Sequence, residues 1–112
     1  MAKIVKQIKI QKQGAVSMTI PMIMVHSLGI KVKDYLIVSL DEENKSMVIV
    51  QDKGQKISPE QHRIKVQRQG ALNMTVPMSI VRALDIRIGE FVDVAFDPIE
   101  ETMTVTKSLA KV

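Results

Sequence analysis

Cysteine is absent from the 112 residues, which removes disulfides and thiolate metal sites and makes a reducing compartment the natural setting. Tryptophan is absent as well, and Tyr35, Phe91 and Phe96 are the whole aromatic content. All three lie away from the basic segments, so a stacking platform for single-stranded nucleic acid is not expected. No apolar run is long enough for a signal peptide or membrane span; the first ten residues, MAKIVKQIKI, alternate lysine with apolar side chains instead. A cytoplasmic protein with no membrane partner is therefore expected.

Catalytic signatures are missing too. There is no Walker loop, no GxSxG or GxGxxG, and no carboxylate pair whose spacing suggests acid–base work. His26 and His62 stand far apart without metal-ligand spacing. The eight methionines do not suggest a soft-metal site, because Met18 and Met74 alternate with polar residues as core fillers do. The expectation is a protein that is not an enzyme and carries no cofactor or metal.

What is present is a repeat. Shifting the chain by 56 positions aligns residues 8–51 with 64–107 without a gap, and roughly sixteen of the forty-four pairs are identical. Agreement is densest between KIQKQGAVSMTIPM and KVQRQGALNMTVPM. In each copy the pattern begins with period two: Ile8 and Ile10, then Val16, Met18 and Ile20, alternate with polar residues around Gly14, as two strands of a hairpin. Pro21 and Pro77 suit the first position of a helix.

Met24, Val25 and Leu28, or Ile80, Val81 and Leu84, form its apolar face, with His26 or Arg82 pointing elsewhere. Gly29 and Asp85 supply left-handed stops. Leu36, Val38 and Leu40, or Val92, Val94 and Phe96, read as a third strand. DEENK or DPIEE turns into a fourth strand at Met47 or Met103.

Each copy thus reads β-β-α-β-β, spanning 1–52 and 63–112, with a linker at 53–62. A unit of this size buries too little apolar surface to fold alone, so each copy needs a partner. The flexible connection QDKGQKISPEQH, about 12 residues counted from Gln51 to His62, spans about 19 Å and gives millimolar effective concentration, which favours pairing within the chain. The fold class expected is mostly β with two short helices, the two repeats completing one core.

The stretch GAVSMTIP, followed by an apolar helix ending LGI and a KD or GE turn, resembles the AbrB/MazE/SpoVT-like family, with two tandem copies covering nearly the whole chain. The resemblance implies a swapped-hairpin β-barrel of two interleaved ββαββ units, an intrachain pseudo-dimer that contacts DNA through its first hairpins and helix region. It implies a prokaryotic transcriptional regulator or nucleoid-associated protein. The chain departs from the family at Ala15 and Ala71, where Gln or Arg often follows the hairpin glycine. It departs again at Lys33, where Gly89 keeps the usual turn residue, and at His26, where Arg82 keeps the usual arginine.

The net charge of +4 is distributed unevenly. Lys3, Lys6, Lys9 and Lys12 open copy one and Arg63, Lys65 and Arg68 open copy two, while Asp41, Glu42, Glu43, Asp97, Glu100 and Glu101 crowd the later turns. If both hairpins lie on one side, that side is positive and the other negative, which steers the molecule onto DNA. Lys9, Lys12, Lys65, Arg68 and Arg82 are assigned to phosphates, with His26 beside them. Gln11, Gln13, Gln67 and Gln69 are assigned to base edges or phosphates. Lysine alternating with isoleucine on a solvated strand is the plain alternative, and the matched pattern in both copies favours binding.

Double-stranded DNA is the expected partner, with a pseudo-palindromic or sequence-tolerant site. Two other readings stay open: an autoregulatory antitoxin with a toxin protein as partner, and an assembly module that binds no DNA. A homodimer of pseudo-dimeric chains is a further partner the pattern allows.

Overall fold

A computed structural model describes residues 4–108. The first copy forms β1 (Ile4–Lys9), β2 (Gln11–Gln13), β3 (Ala15–Thr19), α1 (Met22–Leu28), β4 (Tyr35–Asp41) and β5 (Ser46–Gln51). The second forms β6 (His62–Lys65), β7 (Gln67–Gln69), β8 (Ala71–Thr75), α2 (Met78–Leu84), β9 (Phe91–Asp97) and β10 (Thr102–Lys107).

The strand expected first in each copy is broken in two, at Ile10 and at Val66. Each corner residue is held by the other copy's helix-to-strand turn. The Ile10 amide donates to the Glu90 carbonyl at 2.8 Å and its carbonyl accepts from the Gly89 amide at 2.8 Å. Val66 donates to Asp34 at 2.7 Å and accepts from Lys33 at 2.9 Å. Both corner side chains are 1% exposed, so the bend is fixed by burial as well as by hydrogen bonds.

These corners carry the chain between two sheets, a six-stranded one in the order β1-β9-β10-β5-β4-β6 and a four-stranded one in the order β2-β3-β8-β7. The copies exchange strands: β1 pairs with β9, and β6 pairs with β4. A pseudo-twofold axis runs through the Met18–Met74 pair of one sheet and the Val48–Thr104 pair of the other, each joining residues one repeat apart. Around it the backbone bonds match, Ile20 to Leu72 at 2.9 Å and Val76 to Val16 at 2.8 Å. A single apolar cluster between the sheets draws on both copies, from Ile10, Met18, Met24, Leu36 and Met47 to Met74, Ile80, Phe96 and Met103.

The sheets do not close into a barrel. The strand that leaves an edge of the six-stranded sheet becomes an edge of the four-stranded one, so the sheets are joined along the chain at Ile10 and Val66 rather than by a continuous ladder. The coarse expectation of a mostly β chain with two short helices holds.

Pro21 and Pro77 cap the helices instead of opening them. Their φ is helical and their ψ is 135, and the Pro21 carbonyl accepts from Met24 and Val25. The chain arrives extended from β3 or β8, which sets ψ before the helix begins. At the other end Gly29 (φ 66) and Asp85 (φ 53) are both left-handed. The last strand of each copy ties down the C-terminal end of its helix: Gln51 Nε2 donates to the Leu28 carbonyl at 2.8 Å, and Lys107 Nζ to the Asp85 carbonyl at 2.9 Å. Among the described residues no helix is long and apolar enough to cross a membrane.

The segment between the copies is pinned. Arg63 Nε donates to Asp52 Oδ2 at 2.7 Å, and Arg63 Nη2 to the Gln55 carbonyl at 2.6 Å. The Gly54 amide and then Arg63 hold the Asp52 carboxyl below its ordinary pKa. One repeat on, the same positions meet again, with Gln7 Nε2 donating to Ser108 Oγ at 2.9 Å.

Candidate nucleic-acid interface

The four-stranded sheet is built from the two hairpins, each turned by a glycine, Gly14 at φ 77 and Gly70 at φ 78. That region of φ is closed to most side chains, and it lets two short strands reverse within one residue. β3 and β8 lie side by side at the centre, and β2 and β7 form the edges. Directly paired residues of an antiparallel sheet share a face, so the register assigns every side chain. Val16, Met18, Leu72 and Met74 point into the core. Ser17, Thr19, Asn73 and Thr75 point outward, together with Gln11 opposite Ser17, Gln67 opposite Asn73, and Gln69 opposite Ala71.

This outer face is polar and carries no ionisable group among these residues. A shallow depression of about 30 Å³ lies on it, lined in part by Ser17, Gln67, Gln69, Asn73 and Thr75. Gln13 pairs with Ala15 on β3, and its side chain lies outside the described residues.

Lys12 and Arg68 are not on that face. They stand opposite Val16 and Leu72, both buried, so their stems leave the core side of the edge strands and their charged ends reach solvent. They flank the glutamines instead of alternating among them. Three strand spacings separate β2 from β7, about 14 Å at about 4.8 Å each.

Lys9 and Lys65 belong to the six-stranded sheet, one residue before each corner, and both are exposed. Strand exchange sets them against aromatics, Lys9 opposite Phe91 and Lys65 opposite Tyr35. The expectation that all the aromatics lie away from the basic segments is therefore corrected. The two meet only through partners on the other copy, which linear spacing cannot reveal. His26 and Arg82 are exposed in the last turns of α1 and α2, apart from the sheet. Among the described residues, none of Lys9, Lys12, Lys65, Arg68 and Arg82 pairs with a carboxylate, whereas Lys53, Arg63, Arg87 and Lys107 do. Lys3 lies outside the described residues.

The acidic turns do not form one opposing face. β5 and β10 run antiparallel, so the turn after β4 and the turn after β9 project from opposite ends of the six-stranded sheet. One acidic turn meets a linker cation, Glu101 with Lys53 at 3.2 Å. In the other, hydrogen bonds from the Asn44 side chain and backbone lower the pKa of Asp41.

Ser17, Thr19, Asn73 and Thr75 were not among the residues nominated from sequence. The signal was present: they alternate with Val16, Met18, Leu72 and Met74, so burial of one set turns the other outward. No family model, curated protein or solved structure matches this chain. Among the described residues no cluster of three or more His, Asp or Glu is placed to hold a metal ion.

Proposed function

We propose that the chain binds double-stranded DNA through the four-stranded sheet and acts as a prokaryotic transcriptional regulator or nucleoid-associated protein. The strand exchange supports reading it as a tandem AbrB-like swapped-hairpin pseudo-dimer. The observation that carries the binding proposal is the β3–β8 pairing, which sets two basic hairpins side by side about a pseudo-twofold axis. A major groove about 12 Å wide admits a two-stranded ribbon, not a flat four-stranded sheet. In this reading the β3–β8 ribbon enters the groove and presents Ser17, Thr19, Asn73 and Thr75 to base edges.

The edge strands then lie over the groove walls. Lys12 and Arg68, on edge strands about 14 Å apart and offset by four residues along them, about 20 Å in all, straddle the groove and meet phosphates on its two sides. Gln11, Gln67 and Gln69 lie between ribbon and wall and serve either surface. Lys9, Lys65 and Arg82, with His26, add contacts farther along the backbone. About six phosphates engaged gives a log–log salt slope near −5.

The test is a mobility shift with random duplex at low salt, for the wild type and for Lys12→Glu combined with Arg68→Glu. The wild type shifts the duplex, and the double reversal loses at least tenfold in affinity and about two units of salt slope. Equal binding by both proteins removes the edge strands from the interface. No shift by the wild type removes the DNA reading and leaves an assembly role.

A further inference from the structure

The outward-facing residues of the two halves are nearly the same. Gln11 matches Gln67, Ala15 matches Ala71, and Thr19 matches Thr75, each identical across the repeat. Position 13 repeats as Gln69, also identical. One position on the central ribbon breaks the symmetry: Ser17 in the first copy is Asn73 in the second. In a dimer of identical chains such a difference cannot arise, but one chain carrying both halves can fix it.

The Asn73 side chain is held in one orientation. Its Nδ2 donates to the Ala71 carbonyl at 2.8 Å, and its Oδ1 accepts from the Thr19 hydroxyl at 3.2 Å. A carbonyl only accepts, so the Ala71 bond decides which way the amide faces. Each amide group keeps capacity: a second hydrogen on Nδ2 and a second lone pair on Oδ1. A carboxamide offering donor and acceptor together is the group that pairs with the N6 and N7 edge of adenine, whereas a serine hydroxyl serves any base. Both residues are partly exposed, and both line the same shallow depression.

We infer that Asn73 makes the second half of the ribbon read a base that Ser17 leaves unread in the first. The chain therefore binds a non-palindromic duplex in one orientation. This rests on the DNA reading of the same sheet. The other differences on the basic surface, Lys12 against Arg68 and His26 against Arg82, fall at phosphate-contacting positions. Phosphate contacts change affinity without carrying sequence information.

Selection from a random duplex library at low salt tests it, run on the wild type, Asn73→Ser, Ser17→Asn and His26→Arg, with a urea melt of each to establish folding. The wild type should yield half-sites that differ at one pair of symmetry-related positions, with about tenfold preference on the Asn73 side. Asn73→Ser should make the motif palindromic by losing that preference, and Ser17→Asn should make it palindromic by doubling it. Ser17 makes no side-chain hydrogen bond among the described residues, so the second variant tests the inference even if the first unfolds. His26→Arg should tighten binding and leave the motif unchanged. A palindromic wild-type motif, or a motif made symmetric by His26→Arg, overturns the inference while leaving DNA binding intact. Failure of the wild type to select any duplex overturns the DNA reading, and the inference falls with it.

Discussion

Met18 lies directly opposite Met74, and both side chains are 1% exposed, so the two copies meet through the same residue of each. Thioether chains are flexible enough to fill the space beside a symmetry axis, where a rigid side chain would collide with its own counterpart. Truncation leaves a cavity shared by both halves. Met18→Ala or Met74→Ala should each cost about 2–5 kcal/mol in urea melts. A cost under about 1 kcal/mol would show that the pair does not close the core.

Residues 1–52 expressed alone should not be a folded monomer. Cut at the linker, β1 loses β9, β3 loses β8, β4 loses β6 and β5 loses β10, which exposes four strand edges and half of the core. Sedimentation and circular dichroism at micromolar concentration should report an unfolded or self-associated fragment. A compact monomer would overturn the dependence of each half on the other.

Lys33 adopts φ 76 in the turn where its repeat counterpart, Gly89, adopts φ 89. A lysine there pays a backbone penalty that a glycine does not. Lys33→Gly should stabilise the protein by roughly 1 kcal/mol and Gly89→Lys should destabilise it by a similar amount. A Cβ built on Gly89 meets nothing within 4 Å, so the effect would be conformational and not a clash. Both changes are read from the midpoint of a denaturant melt.

Asp52 gives a pH signature. Its folded pKa is depressed, first by the Gly54 amide and then by Arg63, so its contribution to stability is present above the unfolded value of about 4 and is lost as pH falls through the folded value. Asp52→Asn removes that dependence. The stability gap between wild type and variant should be constant near neutrality and shrink below about pH 4. A gap that widens on acidification would contradict the assignment.

The elements were legible in the sequence because each depends on local pattern. Leu36, Val38 and Met47 on the strands and Met24 and Val25 on the helix are buried as their periods require, and Gly29 and Asp85 are left-handed as their positions require. The corners at Ile10 and Val66 were not legible. The alternation of Ile8 and Ile10 runs into the break unchanged, and the bend is made by backbone groups of the other copy.

The sequence also left the faces of Lys12 and Arg68 undetermined. A lysine on an edge strand reaches solvent from either side of the pleat, so its polarity does not report which way it points, and only the register with Val16 does. The separation of the acidic turns has the same origin, since it follows from the antiparallel pairing of β5 with β10, which joins residues more than fifty positions apart.

The contact of Gln7 with Ser108 reproduces, one repeat away, the contact of Arg63 with Asp52. The splice between the copies and the meeting of Gln7 with Ser108 are thus equivalent points about the pseudo-twofold axis. A circularly permuted gene, opened at Gly54 and closed by transplanting the splice between residues 108 and 7, would encode the halves in reverse order and rebuild the same strand neighbours. Which half is translated first is immaterial to this architecture.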